Sequence, residues 1–141
     1  MFRRKQKYPE LFQAAESGDV KAQLVLGGAY SRGKGLEKDF TKAKYWFEKA
    51  ADAGSPEAKY YLALMHIIPG FQMHDMSKAA QYLLESATAG LPDAQYDLGV
   101  LLYTGPCDVE EDLIQARYWI GKAAEAGHEA AKAFWKIRFE Q

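Results

Sequence analysis

The chain has 141 residues, the length of one ordinary domain, and its 48% hydrophobic and 26% charged residues allow a buried core and argue against intrinsic disorder. Eighteen Lys and Arg against nineteen Asp and Glu leave a formal charge of -1, without the basic excess by which nucleic-acid binders neutralise phosphates. One cysteine, Cys107, excludes an intramolecular disulfide and a cysteine-based zinc site, and no apolar run reaches the roughly 18 residues of a membrane span.

Residues 1–8 form a basic leader that resembles a signal-peptide n-region, but no apolar h-region follows it. A cytoplasmic protein is expected, or a periplasmic or secreted one if an export signal has been removed. From residue 9 onward the composition is that of helices. Alanine occurs 22 times against 4 Val, 5 Ile and 3 Thr, and the apolar residues recur in steps of three and four, as in Ala22, Val25, Leu26, Ala29 and Tyr30. The fold class is therefore all-α.

Along the chain the spacing predicts a half-unit helix over 9–17. Three helix pairs follow, 19–31 with 39–53, 55–68 with 75–89, and 91–104 with 112–126, and a terminal helix occupies 128–140. The pairs are copies of one unit. Gly18, Gly54, Gly90 and Gly127 recur every 36 or 37 residues, followed at a fixed interval by Ala22, Ala58, Ala94 and Ala131, then by Leu26, Leu62, Leu98 and Trp135. In the second half of each unit Asp39, Asp75 and Asp112 precede Ala43, Ala79 and Ala116, then Trp46, Tyr82 and Trp119, then Ala51, Ala87 and Ala124.

Each column has a physical reason. The alanines, with Gly27, Ala63 and Gly99, let helix axes approach closely, while Trp46, Tyr82 and Trp119 fill the wider gaps. Gly18, Gly54, Gly90 and Gly127 stand just past helix ends, where positive φ is common. Ser55-Pro56-Glu57 reads as a capped helix start, and Leu91-Pro92-Asp93 as the same start without a capping side chain. Asp39, Asp75 and Asp112 are placed to start the second helix of each unit. The array predicted is a right-handed α-solenoid of about three helix-pair repeats with a half-repeat at each end. It forms a single domain over 9–141, with units 19–54, 55–90 and 91–127 and the terminal helix.

The pattern Ala-x-x-x-Leu-Gly-x-x-Tyr-x-x-Gly-x-Gly from Ala22 to Gly35 resembles the Sel-1-like repeat, a relative of the tetratricopeptide repeat. So does Asp39-x-x-Lys-Ala43-x-x-Trp46-x-x-Lys-Ala-Ala51-x-x-Gly54. The second unit departs from it with His66 for Tyr, Ala63 for Gly, and Pro69 and Phe71 for the loop glycines. The third has Leu102 for Tyr and one extra residue between its helices. The resemblance implies a protein-binding scaffold or adaptor, and no cofactor.

In such arrays the first helix of each pair lines the concave side. The rotation fixed by the packing columns then points Glu57, Tyr60, Leu64 and Ile67, with Asp93, Tyr96, Val100 and Tyr103, into the groove as candidate partner-binding residues. The equivalent first-unit positions are Lys21, Leu24, Gly28 and Ser31, and Lys136 with Phe139 follow on the last helix. Tyr60 and Tyr96 fit packing between repeats equally well. The loop Ile67 to Met73 carries Ile68, Phe71 and Met73 where the first unit is polar, so it either folds back or is covered by a partner. The acidic run Asp108, Glu110, Glu111 and Asp112 suits a basic partner or a plain solvated loop, and Phe134 and Phe139 suit a cap on the array or a homodimer contact.

Catalysis needs converging groups. His74, Asp75 and Cys107 form the best metal-dependent constellation available. The plainer expectation leaves His74 and Cys107 in loops and seats His66 in a core position otherwise held by tyrosine. Gly33-Lys34-Gly35 lacks the strand and helix context of a phosphate loop. The expected function is non-catalytic binding of a protein or peptide, with an inhibitor of a toxin or enzyme as a narrower version.

Overall fold

The computed structural model describes residues 8–140, so the basic leader lies outside the described residues apart from Tyr8. Among the described residues all regular structure is helical, in eight α-helices within two residues of the expected bounds. They are α1 (Pro9–Glu16), α2 (Val20–Arg32), α3 (Phe40–Asp52), α4 (Pro56–Ile67), α5 (Met76–Thr88), α6 (Pro92–Thr104), α7 (Leu113–Glu125) and α8 (Glu129–Arg138). By proximity they fall into two compact units, one ending at Ala58 and the other beginning at Lys59.

In the first unit α2 packs against both α1 and α3. Its core holds Phe12, Ala15, Leu26, Ala43, Trp46, Phe47 and Ala50, with Phe12 edge-on to Trp46 at a centroid distance of 6.5 Å. The bare backbone at Gly27 is what admits Phe47, because a Cβ on Gly27 would stand 2.5 Å from that ring.

In the second unit α6 packs between α5 and α7, and α8 packs on α7. Ala63, Leu83, Ala87, Ala94, Leu98, Leu101 and Trp119 form its larger core cluster, and Ile120, Ala123 and Ala131 a smaller one. Gly99 repeats the device of Gly27, since a Cβ there would overlap Ile120 and crowd the α7 backbone.

The helix ends follow the sequence closely. Gly18, Gly54, Gly90 and Gly127 adopt φ of 98°, 93°, 100° and 88°, a region that side chains disfavour. The carboxylates of Asp39, Asp75 and Asp112 accept from the backbone N–H of Lys42, Lys78 and Gln115 at 3.1, 3.0 and 3.0 Å. Ser55 caps α4 through the N–H of Ala58, and Leu91 makes no side-chain cap. The N–H groups of Asp39, Asp75 and Asp112 also donate to the carbonyls of Tyr30, His66 and Leu102, at 2.9, 3.0 and 2.8 Å. Three loops of different sequence, the third one residue longer, thus close on the same bond.

Two columns differ from expectation. Ala50, Ser86 and Ala123 are fully buried in the second helices; of the column one residue later Ala87 is buried as well, while Ala51 and Ala124 are only half-buried. The hydroxyl of Ser86 is satisfied by the Tyr82 carbonyl at 2.9 Å. Tyr82 is half-buried where Trp46 and Trp119 are buried, and its ring stacks on His66 at 5.9 Å.

Candidate functional site

Helix α6 supplies most of the candidate face. Asp93 lies in its first turn, and the helical period then places Tyr96, Asp97, Val100 and Tyr103 along one side. From α4 come Tyr60, Leu64 and Ile67. All five apolar or aromatic residues expected there after Tyr60, namely Leu64, Ile67, Tyr96, Val100 and Tyr103, are half-buried, as is Tyr60 itself; Asp93 is exposed. Glu57, exposed in the first turn of α4, belongs to the first unit, and its carboxylate accepts from the Ser55 hydroxyl at 3.2 Å.

The tyrosines are joined to a polar chain that the sequence reading did not single out. The Tyr60 hydroxyl donates to Asp97 Oδ2 at 2.8 Å. His128, the N-cap of α8, accepts the Ala131 N–H on Nδ1 at 3.2 Å, which leaves its proton on Nε2 to be donated to Asp93 Oδ1 at 2.9 Å. Its ring stacks on Tyr96 at 4.8 Å. Burial, and then the bond to Asp97, push the Tyr60 hydroxyl well above the usual tyrosine range. Burial is also the main cause that holds the Asp97 carboxyl above the usual range; Asp93 adds to it, while the Tyr60 hydrogen bond and His128 oppose it. His128 had a sequence signal, since it occupies the cap column of Asp19, Ser55 and Leu91, and Asp19 caps α2 in the same way. Asp97 had only its spacing, one turn after Asp93.

Phe134 of α8 and Phe139 at its end meet the tyrosines of α6. They pack edge-on to Tyr103 at 5.1 and 6.2 Å, and Phe134 also meets Tyr96 at 6.4 Å, so α8 covers part of the aromatic end of α6 within the unit. The loop after α4 folds back in part, with Phe71 and Met73 half-buried and Ile68 exposed. Tyr60 and Ile67 also touch the larger core cluster, so these two serve packing as well as lining the face.

The other candidates separate. His66 is buried, and its Nδ1–H donates to the Met73 carbonyl at 2.6 Å, a structural role. His74 and Cys107 are exposed, and the Asp75 carboxylate is occupied in capping α5. Among the described residues no three His, Cys, Asp or Glu side chains converge as metal ligands, and no helix is long and apolar enough to cross a membrane. Asp108, Glu110 and Glu111 are exposed, and Asp112 caps α7. Two shallow depressions of about 460 and 420 Å³ lie elsewhere, on α7 and α8, and share Gly121, Glu125 and Trp135. Neither includes a residue of the α4 and α6 face.

A buried amide column also escaped notice. Gln23 and Gln95 donate to the carbonyls of Ala15 and Ala87 at 3.0 and 3.2 Å, each satisfying a backbone acceptor in the last turn of the preceding helix. Lys59 takes this place in the second repeat and instead pairs with Glu85 at 2.8 Å.

Comparison with known proteins places this arrangement. The family model of the Sel1 repeat matches three times, over residues 20–55, 56–91 and 92–128. A crystal structure of a Sel1 repeat protein from Oxalobacter formigenes is similar with a TM-score of 0.80 and 34% identity, over 94% of this chain and 98% of that one. A protective antigen of uropathogenic Escherichia coli with an SLR fold is similar with a TM-score of 0.83 and 35% identity, over 91% of this chain and 28% of that one. Among curated proteins, the secretory immunoglobulin A-binding protein EsiB of Escherichia coli is 51% identical over 41 residues, 29% of this chain. The ERAD-associated E3 ubiquitin-protein ligase component HRD3A of Arabidopsis thaliana is 34% identical over 55 residues, 39% of this chain. The matched segments span 8% of each of these two relatives.

Proposed function

The chain belongs to the Sel1 repeat family, and from that premise we propose that it is a protein-interaction module, acting by recognition rather than catalysis. Its partner, a protein or peptide, docks on the face of α4 and α6 in the second unit, against Tyr60, Leu64, Ile67, Asp93, Tyr96, Val100 and Tyr103. Sel1 repeat proteins are interaction scaffolds, and two relatives are named as a secretory immunoglobulin A-binding protein and a component of a ubiquitin-protein ligase. Those names describe whole proteins of which this chain matches a small part, so an adaptor role for this chain belongs to the proposal.

One observation carries the reading. The residues that hold the helices together, such as Leu83, Ala94 and Leu98, are 0%, 0% and 3% exposed, while six large side chains on the α4 and α6 face remain half-open. Half-open aromatic and aliphatic side chains grouped on a rigid helix pair supply the apolar centre that interfaces need. The test is affinity capture with the full chain and with a Leu64→Ala, Val100→Ala, Tyr103→Ala variant, comparing the recovered proteins by mass spectrometry. A partner should be retained by the parent and lost by the variant, with the helical circular dichroism of both unchanged; equal recovery by a folded variant refutes the face.

A further inference from the structure

The α4 and α6 face is aromatic, yet its fixed charges are of one sign. Asp93 and Asp97 stand one turn apart on α6, and among the described residues neither is paired with Lys or Arg. Lys59, the lysine of α4 in this unit, is already engaged by Glu85. His128 Nε2 donates to Asp93 Oδ1, while its Nδ1 accepts from the Ala131 N–H. Tyr60 donates to Oδ2 of Asp97, and among the described residues no cation side chain pairs with its Oδ1.

The tyrosines tell the same story. Elsewhere in the chain tyrosines carry cations of their own, Lys42 over Tyr30 at 5.5 Å, Lys49 over Tyr45 at 5.3 Å and Lys122 over Tyr118 at 5.3 Å. Among the described residues Tyr60, Tyr96 and Tyr103 have no such cation, although all three are half-exposed. Carboxylates and aromatic faces both attract a guanidinium or ammonium group, and here both are left without one.

We infer that this face takes a partner segment bearing an arginine or lysine next to an apolar residue, the cationic head against Asp93 and Asp97 and its stem along Tyr60 and Tyr96. The neighbouring apolar residue then rests on Leu64, Val100 and Tyr103. This rests on the docking face proposed above and specifies the chemistry of its occupant. Burial is the main cause that raises the Asp97 carboxyl and the neighbouring Asp93 adds to it, so a cation seated between the two carboxylates relieves that repulsion. Opposite charge also speeds the encounter and makes it dependent on salt.

The experiment is selection of a random twelve-residue peptide library displayed on phage against the immobilised full chain, followed by affinity measurements on the enriched peptides. Enriched peptides should carry Arg or Lys at a fixed spacing from an apolar residue. They should lose at least tenfold in affinity to Asp93→Asn, Asp97→Asn, and weaken as salt is raised. Both substitutions keep an acceptor oxygen for His128 and Tyr60, and circular dichroism verifies the fold. Peptides without basic residues that are indifferent to the Asn variant but lose binding to Leu64→Ala overturn this inference and leave the docking face standing. Peptides indifferent to both variants, or a library that yields no binder, count against the inference and the face together.

Discussion

Helices α2 and α6 are the first helices of the first and third repeats, and they agree and differ in a regular way. At four buried columns they are identical: Ala22 and Ala94, Gln23 and Gln95, Leu26 and Leu98, Gly27 and Gly99. At the columns facing away from the second helix they share nothing, with Lys21, Leu24, Gly28 and Ser31 against Asp93, Tyr96, Val100 and Tyr103. The first set is fixed because any change meets a neighbour: a Cβ on Gly27 strikes Phe47, and one on Gly99 strikes Ile120. The second set is held less uniformly: Tyr96 and Tyr103 pack on α8 through His128, Phe134 and Phe139, whereas a Cβ on Gly28 would meet only the end of Arg32. Packing columns repeat because the fold is repeated, and the columns that vary are those to which the proposed function assigns the partner.

The comparison can be broken first at the core. Leu83 is fully buried and its neighbour Leu84 is 47% exposed. Leu83→Ala should lower the unfolding free energy by about 2–5 kcal/mol, whereas Leu84→Ala should change it by no more than about 0.5 kcal/mol, measured by denaturant titration. Similar costs for the two would mean that the register of α5 is wrong. Next come the glycines. Gly99→Ala forces a Cβ against Ile120 and the backbone of α7, which cannot swing aside, and should cost about 1–3 kcal/mol. Gly28→Ala would meet only the mobile end of Arg32, and should be neutral or gain up to about 1 kcal/mol from helix propensity. A stabilising Gly99→Ala would remove the close-approach argument.

Smaller effects sharpen the account. Asp112→Ala removes the bond to the Gln115 N–H and should cost about 1 kcal/mol, with fraying at the start of α7 visible by amide exchange. The subtlest concerns pH. Asp97 holds its proton more tightly in the folded chain than in the unfolded one, whose reference value is 3.8. Its contribution to stability is therefore full below that value and declines as pH rises through the higher folded value. Asp97→Asn should abolish this decline, so the variant gains on the parent as pH climbs from about 4 toward neutrality. A gap that stays constant over that range would show that Asp97 titrates normally.

Much of the fold was legible because repetition separates signal from noise. Three copies of Gly, Ala and Asp columns located the helices, the caps of α3, α5 and α7 and the stops before α2, α4, α6 and α8, since left-handed glycines and capping carboxylates leave marks in the chain itself. The full burial of Ser86 and Ala123 was missed because the alanines beside them repeat too, and small size does not reveal which neighbour is more deeply buried. At the face, periodicity identified Tyr60, Tyr96 and Tyr103, but not the chain from Tyr60 to Asp97 or from Asp93 to His128. Those bonds join residues 37 and 35 apart, and only the packing of helices brings them together. His128 shows the limit most clearly, because a histidine in a column otherwise held by Asp19 and Ser55 reads as drift until its ring is seen capping one helix and reaching another.

The most direct test of the docking face is hydrogen–deuterium exchange on the full chain with and without a bound partner, either a captured protein or the tightest selected peptide. The account predicts new protection concentrated in residues 60–67 and 93–103, with residues 20–52 unchanged. Protection that spares both of those segments and falls on α2 and α3, or on the depressions of α7 and α8, would contradict it.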